Sequence, residues 1–411
     1  MRNFFDNLVT FIIIILIILI IALTTYFCLD VFGIITVPAK YSLASFFYTQ
    51  VDVLAVGNDQ TLPEKPTKEQ ENIVVSEEVE KPEEIIPEEI PENYASEVLN
   101  KFDAYLSQSS SSQIEDGEIE PDVQVVSMNR FYYEQLDSYG KKIYDKLYEN
   151  LEVLKNDEFE LDFGFEFDEL LHTETGSKVL HDAFQLSVNA LVLDNPDLFY
   201  LNINRICLTT KTTKRAFSTS YEVIVGSNEG GVLTDGFKKR EYIDNTKNNL
   251  DGIKNEIIKV CKDKTKKDQI KIVHDYLVDT IVYDSEAGPD IYNIYGALMI
   301  RRSVCEGYAR ACKYVLDDLG IPCIIACGVG TNTNGESERH AWNYVYLNGQ
   351  WYALDVTWDD PIITGGGKVT DSIKYAYFLK GSEEFFKDHV EDGKIVDGAS
   401  FTYPVLSTTN Y

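Results

Sequence analysis

No two cysteines in this chain are spaced C-x-x-C, and their total, seven, is odd. A disulfide framework is therefore not expected, nor a zinc site built on such pairs. Cys312, Cys207, Cys261, and the pair Cys323 and Cys327 on the apolar run 321–329 read as small buried hydrophobes. Positive charge is also scarce: 37 Lys and Arg stand against 67 Asp and Glu, a formal net charge of −30, and no basic cluster occurs. Because phosphate neutralisation dominates nucleic-acid affinity, a nucleic-acid partner is not expected. Charge of either sign is missing between Asp6 and Asp30, an interval that holds the unbroken apolar run 11–23.

What is present begins with that run. As a helix the uncharged interval would be about 34 Å long, enough to cross a bilayer. The run is too long for the core of a cleaved signal and is followed by no small-x-small cleavage site, so residues 1–30 read as a transmembrane anchor. Cys28 follows Tyr26-Phe27, which does not suit lipoprotein processing. Arg2 precedes the span and Asp30 is the first charge after it, favouring an internal N-terminus and an extracytoplasmic remainder. Residues 31–57 read as a juxtamembrane segment, with the apolar stretch 41–51 lying at the interface.

Half of the net charge falls in one segment. Residues 59–122 carry 19 Asp or Glu against 4 Lys, among Pro, Glu and Ser runs such as Pro63-Glu64-Lys65-Pro66. Residues 58–125 read as a disordered, self-repelling linker with room for a short helix within 94–106. An accessory subdomain follows over residues 126–245. In it, 131–154 reads as a helix broken around Asp137 to Gly140, 180–193 as another helix, and 198–206 and 218–225 as strands. Amphipathic helices are expected over 238–262 and 267–282. No catalytic constellation stands out in 129–235.

The chemistry concentrates in 303–360. Ser303-Val304-Cys305-Glu306 fits a capping box, with Ser303 as N-cap and Cys305 in the first turn, where free N–H groups and the helix dipole favour a thiolate. This helix should run to Leu319, with Ala309, Cys312 and Leu316 on its buried face and Gly320 and Pro322 as its stop. Gly307 in the first turn implies a close neighbour. Asn348-Gly349, between two alternating aromatic runs, marks a two-residue hairpin turn. Counting from it, Leu347 faces Gln350, Tyr344 faces Ala353, Trp342 faces Asp355 and His340 faces Thr357. His340 and Asp355 then share one face as diagonal neighbours. A thiol at a helix start, an imidazole and a carboxylate are the parts of a nucleophile, a general base and its orienter.

The runs Val304 to Ala309, His340-Ala341-Trp342-Asn343 and Asp355-Val356-Thr357-Trp358-Asp359-Asp360-Pro361 resemble, in this order, three motifs of the bacterial transglutaminase-like superfamily. His274-Asp275-Tyr276-Leu277, Tyr283-Asp284 and Tyr295-Gly296-Ala297-Leu298 resemble its lead-in. The likeness spans about 266–361. It implies an α+β, papain-like core over residues 246–411, with the nucleophile helix packed on an antiparallel sheet and Cys305, His340 and Asp355 as the triad. It implies no cofactor and no metal.

The expected function is therefore a membrane-anchored cysteine enzyme acting on amide or peptide bonds through a thioester, hydrolysis being favoured over cross-linking. Its partners would be the membrane and a protein or peptide substrate at the cell surface or cell wall. The alternative is a tethered binding module that keeps the fold without turnover. An oxyanion donor is sought among Tyr292, Asn293 and Tyr295, beside the Cys305 backbone N–H. His274 reads as a packed structural histidine, and His172, His181 and His389 receive no role.

Overall fold

The computed structural model describes residues 2–35, 37, 41–42, 49–55, 130–228, 230–360, 370–396 and 399–411. The acidic segment 58–125, with the short helix expected within it, lies outside the described residues. The chain forms two compact units. One holds Met1–Gly57, Glu158–Phe184 and Ile203–Val232, the other Asn58–Asp157, Gln185–Asn202 and Leu233–Tyr411. Residues expected as one accessory subdomain, 126–245, are thus shared between them.

In the first unit helix α1 (Arg2–Val31) contains Phe11–Val31, which by length and composition, with an 18-residue stretch of mean hydropathy 3.1 and none of that stretch buried, is long and apolar enough to cross a membrane. Its end is set by backbone chemistry. Gly33, at φ +67°, turns the chain so that its N–H meets Asp30 O at 3.0 Å while Ile34 N meets Leu29 O at 2.8 Å, the paired bonds of a Schellman stop. Asp30, the first charge after the apolar run, is buried. It accepts from Ser42 Oγ at 2.7 Å and from Arg215 Nε at 3.0 Å.

Arg215 follows β3, the third of four antiparallel strands, β1 (Thr49–Ala55), β2 (Glu160–Gly164), β3 (Ile206–Lys214) and β4 (Thr219–Ser227), ordered β1-β3-β4-β2. The juxtamembrane segment 31–57 supplies β1, which pairs with β3 from Thr49↔Thr213 to Ala55↔Cys207, while residues 43–48 of the stretch expected at an interface lie outside the described residues. The strand expected over 198–206 starts only at Ile206. Before it the chain makes a 3-10 turn over Ile203–Arg205, where Asn202 and Asn204 favour turn conformations.

The second unit carries helices α2 (Ser138–Glu149), the later part of α3 (Gly176–Asp194), α4 (Arg240–Cys261), α5 (Lys266–Thr280) and α6 (Cys305–Asp318). The break expected near Asp137 is real: the Asp137 carboxylate accepts from Gly140 N at 2.7 Å and caps α2. A short parallel pair, β5 (Val282–Tyr283) with β6 (Arg302–Ser303), leads to α6. The main sheet is β7 (Cys323–Thr331), β8 (Ser337–Leu347), β9 (Gln350–Leu354) and β10 (His389–Glu391), ordered β10-β7-β8-β9. Asn348 and Gly349 take φ of +49° and +84°, as a type I′ turn requires, and Leu347↔Gln350, Tyr346↔Trp351 and Tyr344↔Ala353 pair as counted from it.

Alternation sends Trp342 and Tyr344 into one apolar cluster with Ile324, Ala326, Ala353, Phe385 and Leu406. Asn343, pointing elsewhere, donates from Nδ2 to Ala309 O at 2.9 Å and Ile324 O at 3.3 Å. One buried amide thus fastens α6 to the sheet.

Candidate active site

Cys305 opens α6 as its first helical residue, after Val304 at the N-cap. The expected capping box does not form. Ser303 belongs to β6, and its hydroxyl donates to Ile291 O at 2.6 Å. Glu306 pairs instead with Arg310 at 2.7 Å. The helix start is held by close packing: a Cβ on Gly307 would stand 1.9 Å from Ser303 Oγ and 2.7 Å from Ile291 O, which is the close neighbour that the glycine implied.

His340 lies on β8 and is buried, as are Cys305 and Asp355. The β8–β9 ladder ends at Asn343↔Leu354, so the pairings counted for Trp342 with Asp355 and His340 with Thr357 do not occur. The chain turns at Asp355 instead, because Oδ1 accepts from Thr357 N at 3.0 Å and Trp358 N at 3.1 Å. The other oxygen, Oδ2, is left to meet His340 Nε2 at 2.6 Å. The Cys305 thiol stands close enough to the ring to add to the rise of the imidazole pKa.

The electrostatics follow from burial and partners. Burial alone would lower the His340 pKa, but the Asp355 charge, the Asp355 hydrogen bond and the Cys305 contact outweigh it and push it up to about 10. For Asp355 burial acts upward, while the His340 charge and the hydrogen bonds from His340 and His389 hold it well below the usual carboxylate range. Tyr283, at the end of β5, feels the nearby Cys305. Burial first, then that thiol and Glu338, raise its pKa, so its hydroxyl keeps its proton.

The loop expected to supply an oxyanion donor is divided in use. Asn293 is consumed locally: Oδ1 accepts from Tyr295 N at 2.9 Å and Gly296 N at 3.1 Å, and Nδ2 donates to Phe199 O and Asp290 Oδ1. Tyr295 packs edge-on against Phe237. Tyr292 is left within electrostatic reach of Cys305.

His274 is more than a packed ring. Buried on α5, it meets Asp275 at 3.0 Å and Asp359 at 3.1 Å, and Asp359 also accepts from Tyr377 N at 2.8 Å. Asp360 accepts from Tyr308 OH at 2.6 Å. The turn bearing Asp355 is thus tied to α5 and to α6. Burial pushes both Asp359 and Asp360 up to about 6.

His389, which the sequence left without a role, stands in the site. Its Nε2 lies 3.1 Å from Asp355 Oδ2. The only local sign of this was its neighbour Asp388, and no spacing in the sequence connects that pair to Asp355. The donor atoms of His340, Asp355 and His389 all lie within 4.8 Å of one another. Two ligands of a tetrahedral zinc stand about 3.3 Å apart, so the 2.6 Å contact has hydrogen-bond spacing instead.

Residues 251–356 match the model of the transglutaminase-like superfamily, and the chain carries a transglutaminase-like domain within a mixed helix and sheet fold. It is 28% identical over 140 residues to the kyphoscoliosis peptidase of Mus musculus, a match covering 31% of this chain and 21% of the relative. To that of Homo sapiens it is 26% identical over 161 residues, covering 36% and 24%. The chain therefore spans between a fifth and a quarter of the length of these curated relatives. Among solved structures it is similar to a TGase, with a TM-score of 0.24 and 17% identity over 41% of this chain and 48% of the other. It is also similar to a candidate cysteine protease from Cytophaga hutchinsonii, with a TM-score of 0.23 and 15% identity over 38% and 59%.

Proposed function

We propose that Cys305, His340 and Asp355 are the catalytic triad of a membrane-anchored cysteine enzyme that opens amide bonds of protein or peptide substrates. The observation that carries the reading is the 2.6 Å contact of His340 Nε2 with a buried Asp355, which leaves the opposite ring nitrogen for a thiol at a helix start. Asp355 fixes the ring and favours its protonated form. Cys305 Sγ, as thiolate, attacks the carbonyl carbon, and the developing oxyanion meets N–H groups at the start of α6. His340 gives its proton to the departing nitrogen as the C–N bond breaks. Water then loses a proton to His340 and attacks the thioester, releasing the acid and the thiol. Water is favoured as acceptor because no run in the sequence marks a site for a second amine.

The catalytic part of the chain is residues 246–411, which contain all three groups. The window Phe11–Val31 is the anchor, with the N-terminus inside and the catalytic part outside. Protease accessibility on intact cells tests that orientation: protection of the C-terminal part would reverse it.

Incubating the full chain in detergent with casein, with and without dansylcadaverine, tests the chemistry. Peptide products, or amide loss without dye incorporation, are expected, together with a mass-spectrometric acyl adduct on Cys305. Cys305→Ala should abolish all of them. Activity surviving that substitution would defeat the reading, and binding that survives while turnover is absent in both forms would favour a tethered module.

A further inference from the structure

The carboxylate of Asp355 meets more donors than a triad requires. Oδ1 accepts from two backbone N–H groups, and Oδ2 is shared by His340 Nε2 at 2.6 Å and His389 Nε2 at 3.1 Å. An ionised carboxylate can only accept, so each imidazole must present a proton to it. His389 is constrained on its other side too. Its Nδ1 faces Asp388 Oδ1 at 2.7 Å, and Asp388 Oδ2 accepts from Tyr377 OH at 2.8 Å. The ring therefore bridges two carboxylates, those of Asp355 and Asp388.

The fold holds this ring in one pose. His389 is buried, stacks on Phe385 at a centroid distance of 4.1 Å and 18°, and lies 4.4 Å from the Trp358 ring. Trp358 in turn stacks on His340 at 5.2 Å. On β7, Gly330 pairs with His389 and leaves the space Trp358 needs, since a Cβ there would stand 2.8 Å from the indole. One indole thus packs against both imidazoles that share the carboxylate oxygen.

We propose that His389 is a positioning residue of the triad, which locks the Asp355 carboxylate and divides its charge so that His340 receives a directed but moderated pull. The role rests on the triad reading above. Without the Nε2 donor, Oδ2 would keep a single partner, and its charge would fall on His340 undivided. The charged and titratable groups facing the ring are Asp355, Asp388, Tyr377 and His340.

The test is the rate of carboxamidomethylation of Cys305 by iodoacetamide, read by mass spectrometry from pH 5 to 11 on the full chain in detergent micelles. His389→Phe keeps a ring on Phe385 and removes both donors. With the carboxylate no longer locked in place it should slow alkylation at pH 7 at least tenfold, and with the charge falling undivided on His340 it should move the alkaline limb of the profile to higher pH. His389→Gln, whose amide N–H can reach Asp355, should recover most of the rate. Wild-type rate and limb in His389→Phe would overturn the role and leave His389 as packing.

Should His389→Phe unfold below the assay temperature, Asp388→Asn decides. It keeps the ring and neutralises the partner of Nδ1, so a displaced limb is expected and an unchanged one overturns the role. His340→Ala separates the two levels. Wild type no faster than His340→Ala means that the triad itself has failed, and the His389 role with it. A fast wild type, a slow His340→Ala and an unaltered His389→Phe defeat the His389 role alone.

Discussion

His340 Nε2 meets Asp355 Oδ2 at 2.6 Å even though the strand pairing around them stops at Asn343 and Leu354. The contact is made by a turn that Asp355 itself caps, and it leaves a signature in pH. His340 is pushed up to about 10 by Asp355 and the thiol against the opposing effect of burial. Its stabilising contribution is complete below the unfolded value of about 6.5 and is lost as pH rises through the folded one. Asp355 is held low, so its contribution is complete above about 3.9 and is lost as pH falls through its lower folded value.

The difference in Tm between wild type and Asp355→Asn should therefore be greatest between about pH 4 and 6.5 and shrink toward pH 10. Scanning calorimetry across that range checks it. A difference that stays constant from pH 6 to 10 would contradict the coupling.

Tyr283 offers a neutral hydroxyl beside Cys305, because burial and the thiol both oppose its ionisation. Tyr283→Phe should slow acyl-enzyme formation roughly tenfold or more if that hydroxyl faces the developing oxyanion. Single-turnover adduct formation, followed by mass spectrometry, measures it. An unaltered rate removes Tyr283 from the mechanism.

At Gly307 an added methyl would meet Ser303 Oγ at 1.9 Å and Ile291 O at 2.7 Å. The serine hydroxyl is buried and already committed to Ile291 O, so neither neighbour can yield freely. Gly307→Ala should cost about 1–3 kcal/mol and slow alkylation of Cys305 by shifting the helix start. Wild-type Tm together with wild-type alkylation would show that the turn has slack.

Much of this core was legible because its signals are local. Asn348-Gly349 fixed the hairpin and hence the register of Tyr344 and Ala353, and the apolar spacing of Ala309, Cys312 and Leu316 marked the buried face of α6. The misreadings are tertiary. Ser303 suits an N-cap by type, but Ile291 O captures its hydroxyl. The contact between His340 and Asp355 was expected between the right residues for a partly wrong reason, since the β8–β9 ladder ends before reaching them. His389 carries no periodic or spaced mark, and its meaning comes only from β10 folding onto β7. Strand β1 was obscured because the apolar stretch before it resembled a membrane-surface segment.

That strand changes what the N-terminal portion can do. The seven pairings of β1 with β3, and the buried contact of Arg215 with Asp30, clasp the far side of residues 58–129 to the near side. With Phe11–Val31 acting as the proposed anchor, a tryptic nick at Lys68 or Lys101 should therefore leave the C-terminal fragment in the membrane pellet until urea separates the strands. Recovery of that fragment in the supernatant after nicking alone would contradict this. On the proposed anchored reading, shedding from a bilayer would require two events, a cut and an unzipping, so proteolysis by itself would not set the C-terminal part free.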